Sequence, residues 1–228
     1  MSVGLVSLGE LKQRVGLALT DTTEDGYLPY LIAQASALVE NYCRRKFEKQ
    51  TFTEYRDGTG DPWLCLRQAP VHSITSVYLD DGGLWGQGDD AFAAATLLTA
   101  GDDYALRVDG TDGLSYGGYL YRANGSWPRP KARSPGLLST FSAPVGTGNV
   151  KIVYVAGWCP VPHDVRLAVL DVCSLARQTV AQGGRLLQSE GYEGYSYSFV
   201  GQAAGEAWKG YLNATGGAHL NRYVRQPV

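Results

Sequence analysis

The sequence predicts an α+β fold: a small α-helical bundle carrying a β-rich antiparallel insertion and ending in an extended C-terminal arm. Three observations predict it. Residues 7–46 hold two amphipathic patterns with helical spacing. From residue 50 to 157 the texture changes to short β-prone runs punctuated by glycine, proline and aspartate. A third helical pattern then follows, and beyond it the chain turns aromatic, polar and glycine-rich. The predicted boundaries are 1–49 for the first helices, 50–157 for the insertion, 158–185 for the helix that completes the bundle and 186–228 for the arm.

The first helix is marked by Ser7 and Glu10 in "SLGE". Hydroxyl and carboxylate each satisfy a free N–H of the first turn, a capping box. Leu8, Leu11 and Val15 share a face over residues 7–15. The second helix is the clearest. In "DTTEDGYLPYLIAQASALVENYCRRKF", Leu28, Leu31, Ala35, Leu38 and Tyr42 recur at three- and four-residue steps, with Ile32 and Val39 alongside. Asp21, Thr22 or Thr23 is the expected cap, Pro29 requires a start shortly before it, and Arg44, Arg45 and Lys46 suit the negative C-terminal end. Burying large aliphatics contributes ~1.5–3 kcal/mol each before entropy, so this helix needs a partner.

The insertion reads as antiparallel hairpins built from "TFTEYR", "WLCLRQ", "ITSVYLD", "YALRV", "YLYRA" and "NVKIVYV". Residues 82–100 and 124–148 read as long loops, with a short helix at "FAAATLL". It is expected to lean on the bundle and to fold poorly as the isolated fragment 50–157. Gly157 ends the last strand, and Pro160 and Pro162 block its continuation. A helix then carries Val165, Ala168, Val169, Val172, Leu175, Ala176 and Val180 on its apolar face. Asp at Leu167 or Val169 is expected to destroy folding. The arm contains a short helix near 203–213 with Trp208 and Tyr211.

Composition narrows the function. The formal net charge is −2 and the pI about 5.9, so no global basic field holds nucleic acid. Met1 is followed by neither a basic n-region nor an apolar h-region, and no apolar run approaches the ~20 residues a bilayer span requires. No signal peptide and no membrane association are expected.

No catalytic or metal motif emerges. There are three histidines, and no nucleophile elbow, HExxH, phosphate loop or dinucleotide fingerprint. Cys43, Cys65, Cys159 and Cys173 form no C-x-x-C pair and read as small hydrophobes. Cys159 and His163 are four apart, but Pro160 and Pro162 prevent the helical turn that would bring them together. The seam at 153–171 is therefore read as structural. Acidic pairs such as Asp80–Asp81 lack EF-hand spacing and suit turns. The expectation is no enzyme, no cofactor and no metal. The cluster Arg129, Lys131 and Arg133 is a candidate for touching phosphate.

The order of parts carries a resemblance. A capped short helix and a helix ending "ENYCRRKF" come first. An insertion opening "YRDGTG…LCLRQAPVHSITSVYLD" follows, then a strand "VKIVYVAGW", a Pro-started helix and "SEGYEGYSYSF". This resembles the head–tail connector (adaptor) family of tailed bacteriophages and prophages over roughly residues 5–80 and 148–200. Residues 82–148 are longer than in compact members.

The resemblance implies a structural virion protein at the head–tail interface, assembled in host cytoplasm. It implies a homo-oligomeric ring, a dodecamer, beneath the portal protein. Such a ring extends the DNA channel and docks a stopper or tail-completion protein. Double-stranded DNA passes without specific binding, with Arg129, Lys131 and Arg133 as channel contacts. The arm's Tyr195, Tyr197, Phe199, Trp208, Tyr211, Arg222, Tyr223 and Arg225 are the expected contacts with portal or neighbouring subunit, since aromatics and arginines anchor interfaces. The competing reading is a soluble ligand- or carbohydrate-binding β module with a helical cap, which predicts a concave aromatic site.

Overall fold

The computed structural model describes residues 4–80, 92–130, 148–181, 187–190, 197–199 and 219–225. The protein is α+β, and the described residues form three α-helices and antiparallel sheets. It divides into two compact units: Met1–Phe47 with Pro160–Pro227, and Glu48–Cys159.

In the helical unit, α1 (Leu8–Arg14) starts at the capping box. Ser7 accepts from the Glu10 N–H at 3.3 Å, and Glu10 accepts from the Ser7 N–H at 2.8 Å. Leu11 is fully buried. Helix α2 (Leu28–Cys43) buries Leu28, Leu31, Ile32, Ala35, Val39 and Cys43, the predicted stripe with its centre turned slightly toward Ile32. Its N-cap differs from expectation. Tyr27 holds that position without a side-chain bond, and Pro29 lies in the first turn. Asp21 instead accepts from the N–H and hydroxyl of Thr23 at 2.9 and 2.6 Å, closing a turn upstream. That loop is pinned by Lys12, which is 3 % exposed. Its ammonium donates to the Asp21 carbonyl at 2.6 Å and pairs with Asp25.

Helix α3 (His163–Ala181) packs on both α1 and α2. Val165, Ala168, Val169, Val172 and Cys173 are buried. Leu167 is not: it is 47 % exposed. The expectation that Leu167→Asp destroys folding is therefore corrected, because position 167 falls opposite the buried stripe. Charged pairs rim the helices. Arg177 clamps Glu24 through Nε and Nη2 at 2.8 and 2.7 Å, Arg14 meets Asp171 at 2.5 Å, and Arg166 pairs with Glu10.

Among the described residues the β unit has six strands where the sequence places its six β-prone runs: β1 (Gln50–Arg56), β2 (Trp63–Cys65), β3 (Val71–Leu79), β4 (Tyr104–Leu106), β5 (Tyr119–Arg122) and β6 (Val150–Ala156). Their pairing is less local than a set of hairpins. One sheet has the order β1-β6-β3, the other β2-β5-β4, both antiparallel. Among the described strands of this unit, only β4 and β5 are neighbours both in sequence and in a sheet. The late strand β6 fills the gap between β1 and β3, and Val150, Ile152, Tyr154 and Ala156 point inward with period two. They join Leu64, Leu66, Val71, Val77, Tyr104, Leu120 and Trp127 in one core. A short 3₁₀ turn at Ala94–Thr96 stands where "FAAATLL" suggests a helix.

Two glycines are sterically required. A Cβ on Gly157, at φ +116°, would lie 2.4 Å from the Glu48 carbonyl oxygen, and one on Gly58 would lie 1.9 Å from that of Pro128.

Within the arm, β7 (Leu187–Glu190) pairs with β8 (Tyr197–Phe199) in an antiparallel ribbon that the extended reading of this segment lacks. The expected short helix near 203–213 lies outside the described residues.

Candidate interaction surfaces

The first surface is the return of the C-terminus to its own helical unit. Leu220 is fully buried. Around it, the Arg225 N–H donates to the Cys43 carbonyl at 3.1 Å, and Tyr42 donates its hydroxyl to Asn221 at 2.8 Å. The Tyr223 ring meets Phe47 edge-on at 5.6 Å. Tyr223 also donates its hydroxyl to Asp164 at 3.0 Å, and Arg222 bonds both Asp164 and the Tyr223 oxygen. Burial, then the Asp164 carboxylate, pushes the Tyr223 phenol above its ordinary range. The bond to Tyr223, with support from Asp164, raises Arg222. Asp164 thus serves a first-turn position favoured by the α3 dipole and a clasp for the terminal segment.

The sequence reading placed Arg222, Tyr223 and Arg225 at the rim of a contact with portal or neighbour; the structure shows that they also bond within their own chain. Tyr195, Trp208 and Tyr211 lie outside the described residues, and Tyr197 and Phe199 are described only as backbone of β8. Arg129 is exposed and donates from Nε to the Thr59 carbonyl at 2.9 Å, while Lys131 and Arg133 lie outside the described residues.

The second surface was not read from the sequence. It is the outer face of the β2-β5-β4 sheet. Trp63 pairs in register with Tyr121, and Cys65 with Tyr119. Tyr121 pairs onward with Ala105. Leu64, Tyr104 and Leu120 alternate into the core. Trp63, Tyr119 and Tyr121 are left outside at 44 %, 40 % and 38 % exposure. The Trp63 ring lies 4.7 Å from Tyr121 and 6.4 Å from Tyr119, tilted by 54° and 82°. The signal was present in "WLC" and "YLY". Each alternates aromatic and leucine, and the inward choice of leucine sends the aromatics to solvent.

Burial pushes the Cys43 and Cys173 thiols up to about 12, which leaves them inert. Cys159 and His163 are exposed. His72 meets the Gly157 carbonyl at 2.8 Å within the β unit. Among the described residues no group of three or more His, Cys, Asp or Glu is placed to hold a metal. No described helix is long and apolar enough to cross a membrane.

No family model matches the chain, and no curated protein matches it. Solved structures do. A chain from the neck of an empty GTA particle, computed with C6 symmetry, superposes with a TM-score of 0.54 at 17 % identity, covering 98 % of this chain and 91 % of that one. A chain from the virion of a native gene transfer agent particle gives 0.52 at 18 %, with 98 % and 91 % covered. A chain from the neck of a native GTA particle, computed with C12 symmetry, gives 0.50 at 16 %, with 96 % and 88 % covered. The likeness spans both units and establishes the fold as one found in the necks of gene transfer agent particles. It agrees with the head–tail connector resemblance carried by the order of sequence motifs.

Proposed function

We propose that this chain is a structural virion protein of the neck: a head–tail connector that forms a ring under the portal, extends the DNA channel and docks the next neck or tail protein. The observation that carries the reading is the near-complete coverage of this chain by the fold of chains from necks with sixfold and twelvefold symmetry. A ring subunit needs two different faces on one chain, since rotational closure above a dimer joins unlike surfaces. A slightly anionic chain suits a channel that must let DNA pass.

The role is non-enzymatic. The partners are further copies of the chain, the portal and a stopper or tail-completion protein, and the setting is the virion neck. Tyr195, Tyr197, Phe199, Trp208 and Tyr211 are the proposed anchors on portal or neighbour, in a segment that the 219–225 clasp ties back to the helical unit. Arg129, Lys131 and Arg133 are proposed to brush passing phosphates. The tilts between the Trp63, Tyr119 and Tyr121 rings weigh against a carbohydrate module, because coplanar rings are what a flat sugar platform uses.

The test is electron microscopy of the purified protein mixed with portal-bearing heads. A closed ring of this chain at the portal vertex supports the reading. Persistence as a monomer that never joins the portal overturns it.

A further inference from the structure

Resting on the ring reading, we propose that β1 is a strand-addition edge: β8 in the arm of one copy pairs with the open side of β1 in the next, so that the ring closes through a repeated β-sheet contact.

Among the described strands, β1 is the long open edge. It runs for seven residues beside β6 without a break in register, and β6 is its single neighbour. Every second residue of such a strand turns its N–H and C=O away from the partner. Among the described residues, no backbone group from Thr51 to Tyr55 bonds anything but β6. The other edges of the β unit are covered or short. β3 carries two register shifts, and its Val71 and Val77 bond Ser115 and Leu98 at 2.8 Å each. β2 and β4 have three residues each. Folded proteins blunt a long edge with a bulge, a proline or a cover, because it templates another strand. Among the described residues β1 has none of these. Gln50, Thr51, Thr53 and Tyr55 are exposed, and threonine, phenylalanine and tyrosine favour strands. The inward charge of β1, Glu54, is met by the Arg67 N–H and the Tyr154 hydroxyl, so it does not stand bare against an added strand.

The arm supplies the strand. β7 and β8 form a sheet of two strands, and such a ribbon is marginally stable in water until a third strand or a packed face supports it. The register shift between Leu187 and Ser189 lies in β7. A bulge bends its own strand and disturbs the ladder, so β8 offers the regular edge. The sequence across β8 reads "YSYSF", aromatic and serine in alternation. Strand addition draws affinity from the main chain and specificity from alternate side chains, and aromatics are favourable cross-strand neighbours of Thr51, Thr53 and Tyr55. A second copy is the partner that satisfies both open edges. Each chain carries one acceptor, β1, and one donor, β8, and the two do not pair within the chain. Passing β8 to the next copy leaves neither edge open when a ring closes, and it joins unlike faces, as rotational symmetry above a dimer requires. A foreign strand would fill one edge and leave the other bare.

The experiment is cysteine cross-linking of the full chain assembled on portal-bearing heads, with Cys65→Ser and Cys159→Ser as background. One variant carries Thr53→Cys, a second Tyr197→Cys and a third Ser198→Cys. Successive residues of a strand stand on opposite faces, so one of the two β8 positions shares the face of Thr53 in any register. Each sample is treated with a bismaleimide spanning about 8 Å, enough for opposite and diagonal neighbours on paired strands. The expected result is a dimer when Thr53→Cys is mixed with one β8 variant, and none from any variant alone. Hydrogen exchange of the wild type is the second readout. Amides of residues 51–55 should exchange about tenfold or more slowly in the assembled neck than in the free chain. An internal cross-link in a dilute double variant, with none on mixing, would put β8 on its own β1 and overturn the proposal. Rings seen by electron microscopy with no cross-link and unchanged exchange overturn strand addition but leave the ring reading standing. Absence of both rings and cross-links overturns both.

Discussion

Tyr223 donates its hydroxyl to Asp164 across 59 positions of sequence, joining the C-terminal segment to the first turn of α3. The contact means that residues 219–225 are part of the helical unit's structure. It also sets what a truncation measures. Removing residues 203–228 takes away Leu220 as well as Trp208 and Tyr211, and Leu220 is fully buried. Lost binding by that truncation would mix lost anchors with a damaged core.

The clasp therefore predicts graded losses of stability. Leu220→Ala should cost about 2–5 kcal/mol, the range for emptying a core leucine site. Tyr223→Phe should cost about 1–3 kcal/mol, since it removes two hydrogen bonds, one to Asp164 and one from Arg222, and keeps the ring against Phe47. Urea unfolding of the full chain measures both. Equal midpoints for wild type and Leu220→Ala would show that the segment does not hold the unit together.

Leu167 and Val169 should part company. Val169→Asp buries an unpaired charge and should cost several kcal/mol, enough to unfold a typical domain. Leu167→Asp should change stability by no more than about 0.5–1 kcal/mol, because position 167 faces outward. Thermal melts of the two variants decide it, and a collapse of Leu167→Asp would contradict the exposure.

The Glu24–Arg177 clamp should make the helical unit acid-sensitive. The bond from Arg177 holds the Glu24 carboxyl below its ordinary value. The carboxylate therefore contributes stability that is complete above the unfolded-state value and is lost as pH falls through the lower, folded one. Glu24→Gln should lower stability at neutral pH and flatten the decline on acidification. Denaturation curves across the acid range test this, and parallel pH profiles for variant and wild type would rule it out.

The legibility of the sequence followed the range of the forces involved. The Ser7–Glu10 capping box and the α2 stripe are local and were readable directly. So were the six β-prone runs, because alternation and turn residues sit within a few positions of each other. Strand order was not readable. Whether β6 closes on β1 and β3 or pairs with a neighbour in sequence depends on how the two sheets share one core. The Asp164 clasp escaped for the same reason, since nothing near Asp164 announces a partner at 222–223. The outward aromatics escaped for another reason. In "YLY" either set can face the core, and only the burial of Leu120 and Leu64 shows which does.

The β unit should fold alone, which reverses the expectation drawn from sequence for residues 50–157. That expectation assumed a sheet with one face covered only by helices. The structure gives the unit a core of its own. Leu64, Leu66, Val71, Val77, Leu120, Trp127, Val150, Ile152 and Tyr154 are fully buried, and all lie between residues 48 and 159. Several buried polar groups are also satisfied inside it, although Asp80 Oδ2 and Arg122 Nη1 have no hydrogen-bond partner among the described residues. Glu54 accepts from the Tyr154 hydroxyl at 2.7 Å and the Arg67 N–H at 3.0 Å. The Trp127 indole donates to the Leu120 carbonyl at 3.3 Å, and Asn149 accepts from Gly58 and donates to Pro128, each at 2.8 Å. Three-stranded sheets with a shared apolar core meet the minimum for independent stability. Expressed as residues 48–159, the fragment should show a single cooperative thermal transition and dispersed amide resonances. Trp127→Ala in that fragment should cost about 3–5 kcal/mol and abolish the transition. A fragment that melts without cooperativity, while the full chain melts sharply, would show that the β unit depends on the rest of the chain.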